Sequence, residues 1–427
     1  MKKNYLLAIL MASSSFVFGQ RTLIHCGNLL DMASNTPRSQ VTVIVEKNKI
    51  VSVQNGYTSP QATDKVVDLK NKFVLPGLID MHVHIEGETN RETYLKKYQQ
   101  READVAFEAH KAAQSTLMAG FTTVRDLGGS GVNISIRNAI NKGIISGPRI
   151  FTAGKSIATT GGHADPTNAL SPIYTPTDPN MTNGVINSYE EARQAVRQRY
   201  KDGSDCIKIT ATGGVLSVAK SGKAPQFMED ELRGVIETAK DYGFHVAAHA
   251  HGAEGMKRAI RAGVTTIEHG SLLDDECIAL FKEKGTYLVP TITAGRTVMD
   301  SAKIRGFYPA IIATKAIEVG QRIQESFNKA YKAGVKIAFG TDAAVFPHGY
   351  NAKEFQYMNE GGMPMIEALK CATVINASIL EMSDQLGTIE ANKLADIIAV
   401  DSNPLNDPKV MMNVSFVMKD GVVYKQK

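Results

Sequence analysis

Five times along this chain a helical stretch gives way to a glycine and then, at once, to a β-rich run. The joints are Ala119-Gly120-Phe-Thr-Thr-Val, Tyr242-Gly243-Phe-His-Val, Ala262-Gly263-Val-Thr-Thr-Ile, Lys284-Gly285-Thr-Tyr-Leu-Val and Ala333-Gly334-Val-Lys-Ile-Ala. Each reads the same way physically: glycine takes the left-handed C′ position that ends a helix, and a strand begins. Before the first joint, Val105, Ala109, Ala112, Thr116 and Leu117 form an apolar stripe at helical spacing. Repeated alternation of helix and strand calls for a mostly parallel sheet covered by helices. Eight strands are expected, over 73–84, 121–127, 148–154, 205–212, 244–250, 264–269, 286–292 and 335–342. This predicts an α/β fold, a (β/α)8 TIM barrel over residues 73–385. An open doubly wound sheet is the alternative, but no GxGxxG follows the first strand.

The flanks read differently. Residues 20–72 hold Arg21-Thr-Leu-Ile-His, Val41-Thr-Val-Ile-Val and Lys49-Ile-Val-Ser-Val between Asn/Gly/Pro turns, and 386–427 hold three more such runs. Neither flank can make a core alone, so both chain ends are expected to pair into one small β-sandwich. Residues 1–19 predict a signal peptide: Lys2 and Lys3 precede a short apolar run, with Val17 and Gly19 small enough for a cleavage site before Gln20. The expected protein is exported, periplasmic or secreted, with no membrane span after cleavage.

Composition closes other routes. The formal net charge of +5 is spread over 427 residues without a basic stripe, which argues against a nucleic-acid partner. None of the four cysteines forms a CxxC pair, so neither a metal knuckle nor a redox pair is expected.

In such barrels chemistry sits at the C-terminal ends of the strands. Those ends offer His82 and His84 on the first strand, Lys208 on the fourth, His249 and His251 on the fifth, His269 on the sixth and Asp342 on the eighth. Histidines two apart on a strand share a face and make a chelate. The plain alternatives are ordinary histidines near strand ends and a lysine whose amine snorkels to solvent. The chemical reading is sharper. Desolvation and nearby metal charge depress the Lys208 amine, and a neutral amine adds carbon dioxide to become a carbamate that bridges two metals. His82, His84 and Asp342 would hold one divalent ion, and His249 and His269 the other. Nitrogen and oxygen ligands favour Zn²⁺, without excluding Mn²⁺, Co²⁺ or Ni²⁺.

This constellation resembles the amidohydrolase superfamily of metal-dependent hydrolases, over nearly the whole chain after residue 19. Leu75-Pro-Gly-Leu-Ile-Asp-Met-His-Val-His84 and the closing run Leu386-Gly-Thr-Ile-Glu-Ala-Asn-Lys-Leu-Ala-Asp-Ile-Ile-Ala-Val400 carry the likeness. Thr160-Gly-Gly-His-Ala-Asp165, Ile207-Lys-Ile-Thr-Ala-Thr-Gly-Gly-Val-Leu-Ser217 and Ala248-His-Ala-His-Gly252 are similar to an imidazolonepropionase-like branch. That branch holds Xaa-Pro dipeptidases, carboxypeptidase-like enzymes and ochratoxin amidohydrolases. Imidazolonepropionases themselves lack the strand-four lysine, so Lys208 counts against that activity. The resemblance implies cleavage of an amide or peptide bond to an amino acid with a free carboxylate, through a metal-bridging hydroxide, with Asp342 moving the proton. It implies that His163 and, with it, His251 polarise the substrate carbonyl or hold it, and that specificity comes from the loops at Leu216 to Phe227 and His348-Gly-Tyr-Asn351. Arg296 is a candidate for the substrate carboxylate, a solvated surface charge being the alternative. The expected partner is a small-molecule or dipeptide-like substrate, and related enzymes form homo-oligomers. Two other readings stay open: a lactone or ester hydrolase on the same site, and a non-catalytic metal-binding barrel.

Overall fold

The structure, a computed structural model, describes residues 20–427 apart from 169, 176 and 219. The expected signal peptide lies outside the described residues.

Two arcs of parallel strands make the barrel. Leu78–Val83, Phe121–Asp126 and Arg149–Thr152 form one arc. Ile207–Thr210, Val246–Gly252, Thr266–Leu272, Tyr287–Val289 and Lys336–Ile337 form the other. The arcs close at two seams. At one, Asp205 N donates to Thr152 O (2.7 Å) and Ile157 N to Lys208 O (2.7 Å). At the other, Met81 N donates to Phe339 O (3.0 Å) and Asp342 N to His82 O (2.7 Å). The eight strands are those expected, in order. Those from Leu78, Phe121, Ile207 and Val246 are buried at every position, as befits strands covered on both faces. All five joint glycines have positive φ, from 70° at Gly285 to 106° at Gly263. Helix starts follow equally local rules: Ser188 caps Tyr189–Asp202 by accepting from Glu191 N.

Both chain ends meet in one seven-stranded sheet, in which Lys65–Pro76 lies between Arg21–Leu29 and Ile397–Val400. One face, with Ile24, Val43, Val67, Val74, Ile397 and Phe416, closes on a core of its own. Phe73, Leu75, Ile398 and Val417 on the other face join the barrel core, which fixes the appendage to the barrel.

The expected first strand, 73–84, is two strands. Phe73 to Pro76 pair antiparallel with Val400 to Ile397 in the terminal sheet, and the barrel strand starts at Leu78. The chain changes sheets at Gly77, where a side-chain carbon would sit 2.2 Å from Thr122 Oγ1. Only glycine lets the backbone pass that close to the second strand. The barrel therefore begins at Gly77 rather than at residue 73.

All four cysteines are buried and free. Among the described residues no helix is long and apolar enough to cross a membrane. Over the barrel mouth lie two packed helices, Ile292–Ala302 and Ala310–Lys332.

Candidate metal centre

The strand ends converge as the i, i+2 rule requires. His82 and His84 each bring Nε2 to 3.5 Å from Asp342 Oδ1. Asp342 stands in left-handed backbone, at φ 59°. Its Oδ1 is buried with no hydrogen-bond partner. A buried carboxylate oxygen facing two imidazole nitrogens is unsatisfied by the protein alone and suits a cation. A second cluster, His249, His251 and His269, holds its ligand atoms within 4.8 Å of one another. The rings of His82 and His269 are 5.1 Å apart, so the two clusters adjoin. Lys208, buried, lines the same cavity.

The electrostatics agree with that donor set. Burial holds His82, His249 and His269 well below the usual imidazole range. It brings His84 down to about 4, and His163 and His251 to about 3. These rings are neutral at pH 7, the form that ligates metals. Burial pulls the Lys208 amine down to about 8, against the opposing pull of Glu268 and Asp342. It pushes the Asp342 carboxyl up to about 7, with Lys208 opposing. Six nitrogen or oxygen donors in two groups, with a buried amine beside them, fit a pair of divalent ions.

Behind these groups stands a layer that sequence reading missed. His82 Nδ1 is 2.8 Å from Glu268 Oε2. The other Glu268 oxygen pairs with Arg125 Nη2 at 2.9 Å and accepts from the Thr266 hydroxyl. Arg125 Nε donates to Met81 O at 2.8 Å. Asp80 accepts from His82 N (3.1 Å), the Thr341 hydroxyl (2.6 Å) and Asn351 Nδ2 (2.8 Å). The signal was present: an arginine and a glutamate inside fully buried parallel strands must pair across the barrel interior. The second cluster has lighter supports: His249 Nε2 lies 3.2 Å from Gly213 O, His251 Nδ1 2.9 Å from Ser271 Oγ, and His269 Nδ1 2.7 Å from Thr291 Oγ1.

His163 reaches the site from the loop after the third strand, its ring 4.4 Å from that of His249. A side chain at Gly214 would fall 2.1 Å from His163 Cε1, so the Gly213-Gly214 step makes room for the ring. His251 stands within the second ligand cluster, beyond the substrate contact expected of it. Arg296 is not at the site. Its guanidinium pairs with Glu360 (2.9 Å), donates to Gln324 Oε1 (2.7 Å) and lies over the Tyr357 ring. Ala294, Gly295 and Val298 of the same helix line the cavity instead. Helical rotation carries position 296 to the far face. The His348–Asn351 loop also works from behind: His348 Nε2 is 3.2 Å from His84 O, and Asn351 serves Asp80. In the fourth loop, Val215 and Leu216 do line the cavity. The cavity holds about 300 Å³, with an apolar wall of Val215, Val298, Val319, Ile323 and Val345 facing the metal-ligating side chains.

The sequence profile of the Amidohydrolase family matches residues 73–424. The chain belongs to the amidohydrolase family. A solved Xaa-Pro dipeptidase with methionine bound in its active site is 50% identical, with a TM-score of 0.91 over 95% of this chain and 100% of that one. A prolidase complexed with N-methylphosphonate-L-proline is 32% identical, with a TM-score of 0.87 over 96% and 100%. The ochratoxinase of Aspergillus niger is 32% identical over 95% of this chain and 86% of its own length. These amidohydrolase relatives match the branch expected from the strand motifs, and with them the chain is a hydrolase acting on carbon–nitrogen bonds.

Proposed function

We propose that this amidohydrolase cleaves the amide bond of a dipeptide-sized substrate whose leaving amino acid carries a free α-carboxylate, at a two-metal centre. His82, His84 and Asp342 would hold one ion and His249 and His269 the other, with Lys208, as a carbamate formed from carbon dioxide, supplying a further anionic ligand, and Zn²⁺ the favoured metal. The observation that carries this reading is the buried, partnerless Oδ1 of Asp342, 3.5 Å from two imidazole nitrogens. When bound, the metal pair supplies hydroxide near neutral pH and polarises the scissile carbonyl.

The chain does the rest. Asp342 takes up the proton and passes it to the leaving nitrogen, a general acid–base role for a carboxylate whose Oδ1 faces the site without a protein partner. His163 and His251 are neutral, so they orient substrate as hydrogen-bonding groups rather than as cations. With Arg296 turned away, Lys208 and Lys315 are the buried amines whose fields reach both of these rings. Lys315 donates to Gly214 O at 2.9 Å and to the Ser217 carbonyl, behind the cavity wall. With Lys208 given to the metals, Lys315 is the amine left to favour a carboxylate through its field. A volume of about 300 Å³ stands at the lower end for small-molecule sites and suits a dipeptide better than a bulky N-acyl aromatic. The activities named for the dipeptidase and prolidase relatives support the same choice.

A panel of Xaa-Pro dipeptides, other dipeptides, N-acyl amino acids, ochratoxin-type amides and simple lactones tests the reading, each acid paired with its C-terminal amide. Free-acid dipeptides are expected to turn over fastest. Faster lactone cleavage, or indifference to blocking the carboxylate, overturns the substrate assignment. Wild-type turnover by Lys208→Ala overturns the carbamate. Export and homo-oligomer formation belong to the same proposal, and an intact Met1 in a cytoplasmic fraction of the native host would refute export.

A further inference from the structure

Thr291 follows the seventh barrel strand and stands at φ 49°, ψ 43°, in left-handed backbone. A β-branched residue there is a genuine outlier, because its branched side chain crowds the backbone. Thr291 is also wholly buried, so solvent offers nothing in return. Strain of this kind persists only where the surroundings over-determine it. They do so here. Thr291 immediately precedes helix Ile292–Ala302. Buried Glu354 accepts from Ile292 N (2.8 Å), Thr293 N (2.8 Å) and the Thr293 hydroxyl (2.6 Å). One carboxylate thus takes up donors that the first turn of a helix leaves without partners, and it pins the two residues after the strained one to helix Lys353–Glu360. The Thr291 hydroxyl, held this way, lies 2.7 Å from His269 Nδ1.

We infer that Thr291 is a positioning residue: its hydroxyl accepts from His269 Nδ1–H and leaves Nε2 as the ligating nitrogen, with Glu354 clamping Thr291 in the backbone conformation this needs. A histidine has two ring nitrogens, and the hydrogen bond made by one decides which the other can serve as. Partners of this kind tune metal affinity from outside the ligand set. A serine or threonine in relaxed extended backbone would aim its hydroxyl elsewhere, so the strain and the contact are one feature. This rests on the proposed role of His269 as a metal ligand.

Zn²⁺ affinity by chelator competition, measured beside thermal midpoint, separates the explanations. Thr291→Gly removes both the hydroxyl and the steric conflict. It is expected to raise the thermal midpoint of the metal-free protein while weakening Zn²⁺ binding by roughly 10- to 100-fold. Thr291→Val keeps the shape without the hydroxyl and is expected to weaken Zn²⁺ to the same degree, whereas Thr291→Ser recovers most of the affinity. Glu354→Gln should weaken Zn²⁺ less than Thr291→Val, because the amide still accepts through one oxygen. If Thr291→Gly and Thr291→Val both bind Zn²⁺ as the unaltered protein does, the inference is overturned and Thr291 is only a backbone fixture. If the unaltered protein binds no Zn²⁺, the metal reading falls and takes this inference with it.

Discussion

The two histidine clusters stand a ring's width apart, yet they are held in unlike ways. In the first cluster His82 is backed by buried charge, while His84 Nδ1 rests on the Gly128 carbonyl at 2.7 Å. Glu268 orients His82 and pairs with Arg125, and Asp80 gathers donors from strands one and eight. His249, His251 and His269 lean on single neutral groups: a carbonyl and two hydroxyls. A buried ion pair is unforgiving, since losing one member strands the other without solvent. A neutral hydrogen bond contributes only about 1 kcal/mol net. The support of His82 should therefore be rigid and intolerant of change, and that of the second cluster more tolerant.

The largest expected effect tests that contrast directly. Glu268→Ala strands the Arg125 guanidinium and should cost about 3–5 kcal/mol of stability, whereas Ser271→Ala should cost about 1 kcal/mol. Chemical denaturation of both, metal-free, is the measurement, and equal losses would remove the distinction.

Asp342→Asn keeps the shape of the first cluster but loses its proton carrier. A drop in kcat of roughly 10²-fold or more is expected, with little change in metal-free stability because burial already disfavours the carboxylate. A change confined to KM would make Asp342 a substrate contact instead.

A histidine outside both clusters supplies the pH reference. His245 lies at the start of the fifth strand, where burial, then Arg125, brings its pKa down to about 3. Its Nε2 is sealed without a partner. Between pH 6.5 and 3 the unfolded chain binds a proton there that the folded chain does not, so stability falls as the pH falls through that window. From pH 7.5 to 5 this one group should remove up to about 2 kcal/mol. His245→Asn should lose correspondingly less stability over the same interval, and identical pH slopes would exclude the linkage.

Smallest of all is Arg296→Ala. A half-exposed pair with Glu360 and a ring contact are worth about 1 kcal/mol or less. KM for a free-acid dipeptide should not move. A rise in KM would return Arg296 to the substrate.

Reading the chain alone carried the barrel far because its punctuation is local. A glycine at C′ acts on its own turn, so Gly120, Gly243, Gly263, Gly285 and Gly334 announce the joints wherever the helices later pack. Strand periodicity is equally local, and it aims His82, His84, Lys208, His249 and His251 inward once a barrel is granted, whereas His269 and Asp342 reach the site from left-handed backbone. The supporting layer also has a signal in the sequence. Arg125 and Glu268 each sit within an apolar strand, and two buried opposite charges imply each other.

Other features belong to tertiary structure because they depend on where distant segments meet. Gly77 divides the first expected strand only because Thr122 of the next strand crowds it. Arg296 turns from the cavity because its helix packs with Ala294, Gly295 and Val298 inward, and a rotation of about 100° per residue leaves position 296 outside. His348 and Asn351 became supports rather than specificity residues when their loop folded behind His84 and Asp80. Thr291 could not be singled out at all from its surroundings in sequence. Its backbone is held out of the relaxed regions by Glu354, 63 positions away, and by helix packing over the barrel mouth. Local pattern determines which face a side chain takes on its own element. The packing of elements decides what that face meets, and at this site the meeting sets the ligand clusters, their unequal supports and the size of the cavity.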